Sequence, residues 1–213
     1  GIGVYPNHEK ELAVDDIYEQ YNVASKLIAE IPEYIEIIII PGNHDAARQA
    51  LPQPAILRKY AKPLYDLKNV TMLGDPARVR LHGVDILLYH GRSLDDIIGA
   101  APDVTYLNLE KEVTTAMRYF LKTRHLAPMY GSRTPVAPAP VDDLVISSPP
   151  DILHTGHVHV MGYELYRGTL LVNSGAWQKQ TYYQEKMGLV PMPGIVPVVD
   201  LKSFKVMPIN FLS

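Results

Sequence analysis

Cysteine is absent from this chain of 213 residues. The absence excludes disulfides, thiolate metal sites and cysteine nucleophiles, so any bound metal must be held by His, Asn or carboxylate side chains. Long apolar runs are absent as well, because the longest one, at residues 37–40, has only the length of a strand. A membrane span needs roughly 18 apolar residues. We therefore expect no contact with a membrane, and a cytoplasmic location fits the lack of cysteine.

Neither sign of charge dominates the sequence. Twenty Lys and Arg residues stand against 23 Asp and Glu residues, which gives a formal net charge of −3. This balance excludes a global basic footprint, so binding of nucleic acid would require a local patch or metal ions. Residues 1–6 carry neither a basic nor an apolar leader pattern, and we interpret the chain as beginning partway through a domain.

The first half of the chain alternates between helix and strand patterns. Apolar spacing with acidic residues at the start predicts a helix at residues 14–28, and the β-branched run at 34–40 predicts a strand covered on both faces. A helical stretch at 55–67 leads to a short strand at 70–73. Residues 78–90 are typical of a hairpin that turns near Gly83.

The second half has one clear helix followed by short strands. An apolar stripe predicts a helix at residues 109–124, with Asn108 as its cap. Six prolines between residues 127 and 150 indicate a long ordered or extended loop. Strand patterns follow at 163–166, 169–173, 195–200 and 203–209. The sequence therefore predicts a layered α/β domain with two packed sheets.

Polar side chains follow three separate strand patterns, each at a turn that contains glycine. The three features are Asn43-His44-Asp45, then His90, then His157 with His159. Ligands collect at the carboxyl ends of strands in open α/β sheets. Imidazole and amide donors suit Mn, Fe or Zn, and two such ions can clamp a phosphate and generate hydroxide. The pattern predicts hydrolysis of phosphate esters.

Each feature also has a structural interpretation. Pro-Gly-Asn is ordinary turn chemistry, and His90 alone is typical of a histidine at the end of a strand. The pair His157 and His159 is more specific, because residues i and i+2 of an extended segment point to one side. Two imidazoles on one side indicate an ion or a water network.

These motifs in this order resemble the calcineurin-like metallophosphoesterase superfamily. The resemblance implies a two-sheet β-sandwich flanked by helices and truncated here at its N-terminal edge. Further strings are similar to the family of small subunits of archaeal family D DNA polymerases. They are Gly-Ile-Gly-Val-Tyr-Pro at 1–6, Pro-Gly-Asn-His-Asp at 41–45, Gln-Pro-Ala at 53–55, Thr-Pro-Val-Ala-Pro at 134–138, His-Thr-Gly-His-Val-His at 154–159 and Gly-Ala-Trp-Gln-Lys-Gln-Thr at 175–181.

The resemblance implies a 3′–5′ exonuclease that proofreads for a separate large catalytic polymerase subunit. Its substrate would be a single-stranded or mismatched DNA 3′ end, and its cofactors two divalent metal ions, Mn with Fe or Zn as alternatives. A contact between a sliding clamp and the tail near Phe211 is left open.

The resemblance also implies a role for each site residue. Asn43, His90 and His157 match ligands of the second metal, and His159 matches a ligand of the first. His44 would lie near the scissile phosphate, where it stabilises charge or protonates the leaving 3′ oxygen. Asp45 would orient and charge that imidazole.

The chain departs from the family pattern before Gly1. The family also has an Asp-x-His and a Gly-Asp-x-x-Asp motif upstream, which supply the bridging aspartate and further ligands of the first metal. We therefore expect residues 1–213 to be a phosphoesterase domain without its first metal-binding strands and without an upstream OB-fold domain. We expect these residues alone to be catalytically weak or inactive.

Other side chains receive simpler predictions. Arg133 is either a contact to the substrate phosphate or a solvated arginine. His154 is expected to be buried beside the ligands, and Trp177 to pack in the core or contact another subunit. His8 and His82 are expected to be solvated, and His125 to lie at a helix C-terminus.

Two alternative functions belong to other classes. One is a non-catalytic scaffold, like the B-subunits of eukaryotic replicative polymerases in the same superfamily, which have lost metal ligands. The other is a stand-alone phosphomonoesterase or phosphodiesterase, which the strings at 134–138 and 175–181 argue against. The intact set of Asn43, His90, His157 and His159 favours catalysis, since such polar groups are costly to gather in a low-dielectric cleft.

Overall fold

The computed structural model describes residues 12–212. The chain divides into two compact units, the first ending at Ala77 and the second beginning at Arg78. The helices and strands follow in this order: α1 (Ile17–Ile28), β1 (Ile37–Ile39), α2 (Arg58–Tyr65), β2 (Val70–Met72), β3 (Ala77–Leu81), β4 (Val84–Leu88), α3 (Leu94–Ala100), a 3₁₀ helix (Tyr106–Asn108), α4 (Leu109–Thr123), β5 (Ile152–Thr155), β6 (Met161–Tyr166), β7 (Thr169–Ser174), α5 (Tyr182–Lys186), β8 (Ile195–Val199) and β9 (Val206–Asn210).

The first unit packs two helices around a pair of parallel strands. Asp16 caps α1 by accepting a hydrogen bond from the backbone nitrogen of Glu19 at 2.9 Å. The core contains the buried side chains of Tyr21, Ile56, Ala61 and Leu64. β1 and β2 pair in parallel, so the turn after β1 lies at the carboxyl edge of this small sheet.

The prediction that the strand after residue 34 is covered on both faces was wrong. Within the described residues β1 has only three residues, it pairs only with β2, and Ile37–Ile39 is only partly buried. The β-branched run therefore predicted a strand correctly, but it did not predict how far that strand is buried. The predicted helix at 55–67 is also shorter, since α2 spans only Arg58–Tyr65, and it is kinked at Ala61, where the backbone is non-helical.

The second unit is built on a five-stranded mixed sheet in the order β3-β4-β5-β7-β6. β4, β5 and β7 are parallel neighbours, and β6 is antiparallel to β7. On one face the hairpin β8–β9 shares a core with the sheet, formed by Ile86, Ile152, Leu170, Val172 and Val206. Helix α4 packs against β6 and β7, so the sheet is covered by a second sheet layer and by helices.

This architecture confirms the predicted α/β class with packed sheets and flanking helices. The predicted helix at 109–124 is α4, and residues 127–150 form neither helix nor strand, as expected. Three short elements were not predicted: α3, the 3₁₀ helix and α5. Across residues 12–212, no helix is both long enough and apolar enough to cross a membrane. The string at 1–6 and His8 lie outside the described residues.

Candidate metal centre

The turn that carries Asn43, His44 and Asp45 follows β1 in the first unit. Asp45 folds back on this turn, where its Oδ2 accepts a hydrogen bond from the backbone nitrogen of Gly42 at 2.8 Å. The buried hydroxyl of Tyr21 donates to Asp45 Oδ1 at 3.0 Å and accepts from the backbone nitrogen of Ala46 at 2.9 Å. Helix α1 therefore fixes the turn through one tyrosine.

Burial dominates the electrostatics of this turn. It raises the pKa of the Asp45 carboxyl above its ordinary value, although the hydrogen bonds from Gly42 and Tyr21 act in the opposite direction. Burial also raises the pKa of Tyr21. The described partners of Asp45 thus support the backbone of the turn, and its predicted action on the His44 imidazole stays a prediction.

Gln53 explains one of the strings singled out in the sequence. Its buried side chain donates from Nε2 to the carbonyl of Arg48 at 2.8 Å. Its own backbone exchanges hydrogen bonds with Asp75, at 2.7 and 2.9 Å. The Gln-Pro-Ala string at 53–55 therefore closes the loop that begins at the Asn43 turn.

In the second unit, His90 and His157 come together. His90 Nε2 lies 3.2 Å from His157 Nδ1, and the two rings meet edge to face with centroids 5.0 Å apart. The close approach depends on Gly91, which adopts a φ of +102°. A Cβ there would lie 3.1 Å from the carbonyl oxygen of Gly156 and 3.5 Å from His157 Cβ, so only glycine fits without strain.

The predicted extended segment around His157 and His159 is wrong. β5 ends at Thr155, and residues 156–160 form a bent loop closed by a 2.8 Å hydrogen bond from Val158 N to Gly156 O. His157 and His159 both adopt left-handed backbone conformations, with φ of 69° and 59°. Such strain persists only where the surroundings determine it, and it is concentrated at functional sites.

A buried asparagine under the loop supplies that support. Asn173, at the end of β7, is fully buried. Its Oδ1 accepts from the Thr155 hydroxyl at 2.7 Å, and its Nδ2 donates to the Val160 carbonyl at 2.5 Å. One amide thus holds both ends of the histidine loop. His159 Nδ1 lies 2.9 Å from Nε2 of Gln184 on α5, so the two histidine rings have different described partners.

Sequence reasoning missed Asp95 and Tyr106. Asp95 Oδ2 lies 2.9 Å from His157 Nε2, and the Tyr106 hydroxyl donates to Asp95 Oδ1 at 2.6 Å. Burial acts to raise the pKa of Asp95, but the hydrogen bonds and charges of His157, Tyr106 and Arg133 together bring it below the ordinary value. Asp95 could be identified only if helix α3 were predicted, and the sequence of α3 has no clear apolar periodicity.

The backbone at Arg133 is held by Asp96, the residue next to Asp95 in the chain. Asp96 is buried and accepts hydrogen bonds from the backbone nitrogens of Arg133 at 2.9 Å and Thr134 at 3.2 Å. The side chain of Arg133 is exposed, yet its charge contributes to lowering the pKa of Asp95. The proline-rich loop is therefore anchored at the residue predicted to contact a phosphate. The contact itself stays a prediction.

The pair His90 and His157 has the donor chemistry of a metal site. Two nitrogens 3.2 Å apart, each about 2.1 Å from a shared cation, would subtend about 100° there, an ordinary angle for imidazole ligands. Among residues 12–212, however, no three His, Asp or Glu side chains form a cluster that could hold a metal ion. The pair fits part of a centre, and convergence with Asn43 and His159 stays a prediction.

The remaining predicted side chains lie outside this cluster. Trp177 is 67% exposed beside Phe211, with ring centroids 5.6 Å apart. It does not pack in the core, so that alternative was wrong, and a contact with another subunit stays a prediction. His154 lies in β5, and burial lowers its pKa. His82 is exposed at the hairpin turn, as predicted. His125 follows α4, with its Nε2 2.9 Å from Asp142 Oδ2.

Comparison with solved structures gives weak similarity. A structure described as a novel archaeal phosphodiesterase has a TM-score of 0.41 and 13% identity, over 89% of this chain and 90% of that one. Zinc-complexed Vps29 from Entamoeba histolytica has a TM-score of 0.38 and 13% identity, over 88% and 89% of the two chains. These scores are too low to assign the fold.

Curated relatives are much closer in sequence. Proteins named DNA polymerase II small subunit are 47% identical in Pyrococcus furiosus, over 97% of this chain and 33% of the relative, and 52% identical in Archaeoglobus fulgidus, over 93% and 39%. The corresponding protein of Halobacterium salinarum is 41% identical over 97% and 40%. The chain thus spans roughly a third of the length of these relatives.

A family model supports the same grouping. The model for the B-subunits of DNA polymerases alpha and epsilon matches residues 7–160. That range includes the Asn43 turn, the His90 and His157 pair, Asp95 and the proline-rich loop. The chain therefore belongs to the B-subunit family of DNA polymerases alpha and epsilon.

Proposed function

We propose that this chain carries part of the catalytic centre of a 3′–5′ exonuclease in the small subunit of an archaeal replicative DNA polymerase. The observation that carries the proposal is the 3.2 Å approach of His90 Nε2 and His157 Nδ1, with the opposite nitrogen of His157 held by Asp95. Two imidazole nitrogens that face one another in this way suit a shared divalent cation.

The proposed ligands are the amide and imidazole side chains singled out in the sequence. Asn43, His90 and His157 would hold one cation, and His159 would contribute to a second, with Mn the favoured metal and Fe or Zn the alternatives. Two bound cations would supply a hydroxide nucleophile and offset the charge of the phosphate. The similarity to archaeal polymerase small subunits supports this assignment.

The chain's own residues would bind and protonate the substrate. Water adds to the terminal phosphorus, the bond from phosphorus to the 3′ oxygen breaks, and His44 protonates that oxygen as it leaves. The Tyr21 hydroxyl and the Gly42 amide hold Asp45 and so keep the turn that presents His44. Arg133, anchored through Asp96, would contact the backbone phosphate of the departing nucleotide.

The partners follow from the proposed role. The large catalytic polymerase subunit would be the protein partner, and a single-stranded or mismatched DNA 3′ end would be the substrate. A mismatched end frays more readily, which favours its transfer to a nuclease over further extension.

One observation favours a non-catalytic scaffold as the second candidate. Residues 7–160 match the family model for the B-subunits of DNA polymerases alpha and epsilon, and a subunit of that kind can serve its polymerase by docking alone. The two candidates predict different results for the same assay. A nuclease should lose primer hydrolysis when His157 is replaced, whereas a scaffold should give the same rate with and without the replacement.

The test uses the full-length small subunit together with its large subunit, Mn²⁺ and a primer with a mismatched 3′ end. His157→Asn is suitable because asparagine tolerates the left-handed backbone at this position. We expect hydrolysis to fall by more than about 100-fold, since loss of a ligand should exceed the 10–100-fold effect of outer partners. The matched control is His82→Asn, at an exposed histidine with a φ of 50°. Equal rates for wild type and His157→Asn would contradict the nuclease.

A further inference from the structure

We propose that Asp95 is the positioning residue of this centre, which holds the His157 ring so that Nδ1 faces His90. The inference rests on the proposed function and deepens it. Asp95 lies in the first turn of α3, and its two carboxylate oxygens have separate partners: Oδ2 lies 2.9 Å from His157 Nε2, and Oδ1 accepts from the Tyr106 hydroxyl at 2.6 Å.

The hydrogen bond fixes which nitrogen of His157 carries the proton. An ionised carboxylate only accepts, so Nε2 of His157 must donate to it. In the neutral ring the lone pair then belongs to Nδ1, the atom that lies 3.2 Å from His90 Nε2. A ring held in this way presents a ligand nitrogen to the space shared with His90 before any cation arrives. A partner on the far nitrogen is the usual device that orients a metal-binding imidazole.

The carboxylate is itself held in place. The Tyr106 hydroxyl occupies the oxygen that His157 does not use, which prevents the carboxylate from rotating away. Leu94, Ile97 and Ile98 of α3 are buried, and the adjacent Asp96 anchors the backbone at Arg133 and Thr134. The His157 side chain is only 13% exposed and that of Asp95 is 33% exposed, so water competes weakly for this hydrogen bond.

A second aspartate-tyrosine pair in the same unit provides a matched control. Asp103 Oδ1 accepts from the Tyr119 hydroxyl at 2.6 Å, the same distance as between Asp95 and Tyr106. This exposed pair has no described histidine partner. Asp103→Asn and Tyr119→Phe therefore reproduce the chemical change of Asp95→Asn and Tyr106→Phe at a pair that has no described contact with His90 or His157.

The experiment uses electron paramagnetic resonance to measure how tightly the full-length protein binds Mn²⁺, and NMR of ¹⁵N-histidine-labelled protein to follow the ring protons. The His157 resonance is assigned by its loss in His157→Asn. In wild type we expect a slowly exchanging, downfield Nε2 proton on His157. Asp95→Ala should remove it and weaken Mn²⁺ binding by about 10–100-fold. Asp95→Asn, which still accepts a hydrogen bond, should have a smaller effect, and Tyr106→Phe the smallest.

The outcomes separate the two proposals. The positioning role would be overturned if Asp95→Ala changed neither the Mn²⁺ affinity nor the His157 Nε2 proton. It would also be overturned if Asp103→Asn weakened Mn²⁺ binding as much as Asp95→Asn does. Wild-type protein that binds Mn²⁺ in an Asp95-dependent way but hydrolyses no primer would contradict the nuclease and leave the positioning role standing. Wild-type protein that binds no Mn²⁺ would overturn both.

Discussion

The turn at residues 41–45 in the first unit and the loop at 156–160 in the second both follow a parallel strand, and they are stabilised differently. The carboxylate of its own Asp45 holds the first, where it accepts hydrogen bonds from the Gly42 backbone nitrogen and from the Tyr21 hydroxyl of α1. Side chains hold the second, through Asn173 beneath it and Asp95 beside it. Gly42 and Asp45 lie within the first turn and can be recognised in its sequence, whereas the loop at 156–160 contains neither Asn173 nor Asp95 and can be recognised only as a motif.

The largest effect is expected from Asn173→Ala in the second unit. The substitution leaves the Val160 carbonyl and the Thr155 hydroxyl without their described partner in a buried environment. We expect a loss of about 2–4 kcal/mol in the free energy of unfolding, measured by urea denaturation, and faster hydrogen exchange at residues 156–160. Asn108→Ala is the control, since Asn108 is exposed and its side chain makes no capping hydrogen bond. A loss below about 1 kcal/mol for Asn173→Ala would show that the loop does not depend on this amide.

A smaller effect is expected from Tyr21→Phe in the first unit. The change removes one hydroxyl that donates to Asp45 and accepts from Ala46, while Gly42 still donates to the carboxylate. We expect a loss of about 1–2 kcal/mol in the free energy of unfolding. Tyr34→Phe, at a side chain that is 86% exposed, should change it by less than about 0.5 kcal/mol. Equal losses in the free energy of unfolding for the two variants would show that the Tyr21 hydroxyl does not stabilise the turn.

The smallest effect concerns the ion pair at the hairpin of β3 and β4. Arg78 contacts Asp85 through two hydrogen bonds, at 2.7 and 2.8 Å, and these lower the pKa of Asp85. Because the folded pKa lies below the unfolded value of about 3.9, the stabilisation is present above that value and is lost as the pH falls through the folded pKa. Asp85→Asn should cost about 0.5–1 kcal/mol at neutral pH and flatten the fall in stability below pH 4.

The control for this pair lies in the first unit. Asp66 pairs with Lys62 on α2 and its side chain is 45% exposed, so Asp66→Asn should change stability by less than about 0.5 kcal/mol. If the free energy of unfolding of Asp85→Asn falls below pH 4 as steeply as that of wild type, carboxylates other than Asp85 cause the acid sensitivity.

The sequence predicted the elements whose periodicity extends over several turns or a full strand. Helices α1 and α4 and the strands of the three described sheets lie within a few residues of their expected positions. The seven residues of α3 (Leu94–Ala100) are too few for periodicity to identify a helix. Asp95 and Asp96 were missed with it, since two adjacent acidic residues are typical of a solvated surface. The sequence motifs predicted His90 and His157 as ligands. They did not predict the conformation of the loop at 156–160, because the left-handed backbone of His157 and His159 depends on Asn173 and has no local sequence signal.

We propose that His90 and His157 of the second unit hold one divalent cation together, with Asp95 on the far nitrogen of His157. The most direct test is a crystal structure of the full-length protein with Mn²⁺, recorded at a wavelength that gives an anomalous signal for manganese. We predict an anomalous peak within bonding distance of His90 Nε2 and His157 Nδ1, with Asp95 on the far nitrogen of His157. Manganese bound away from these two histidines, or no bound manganese, would contradict the proposal.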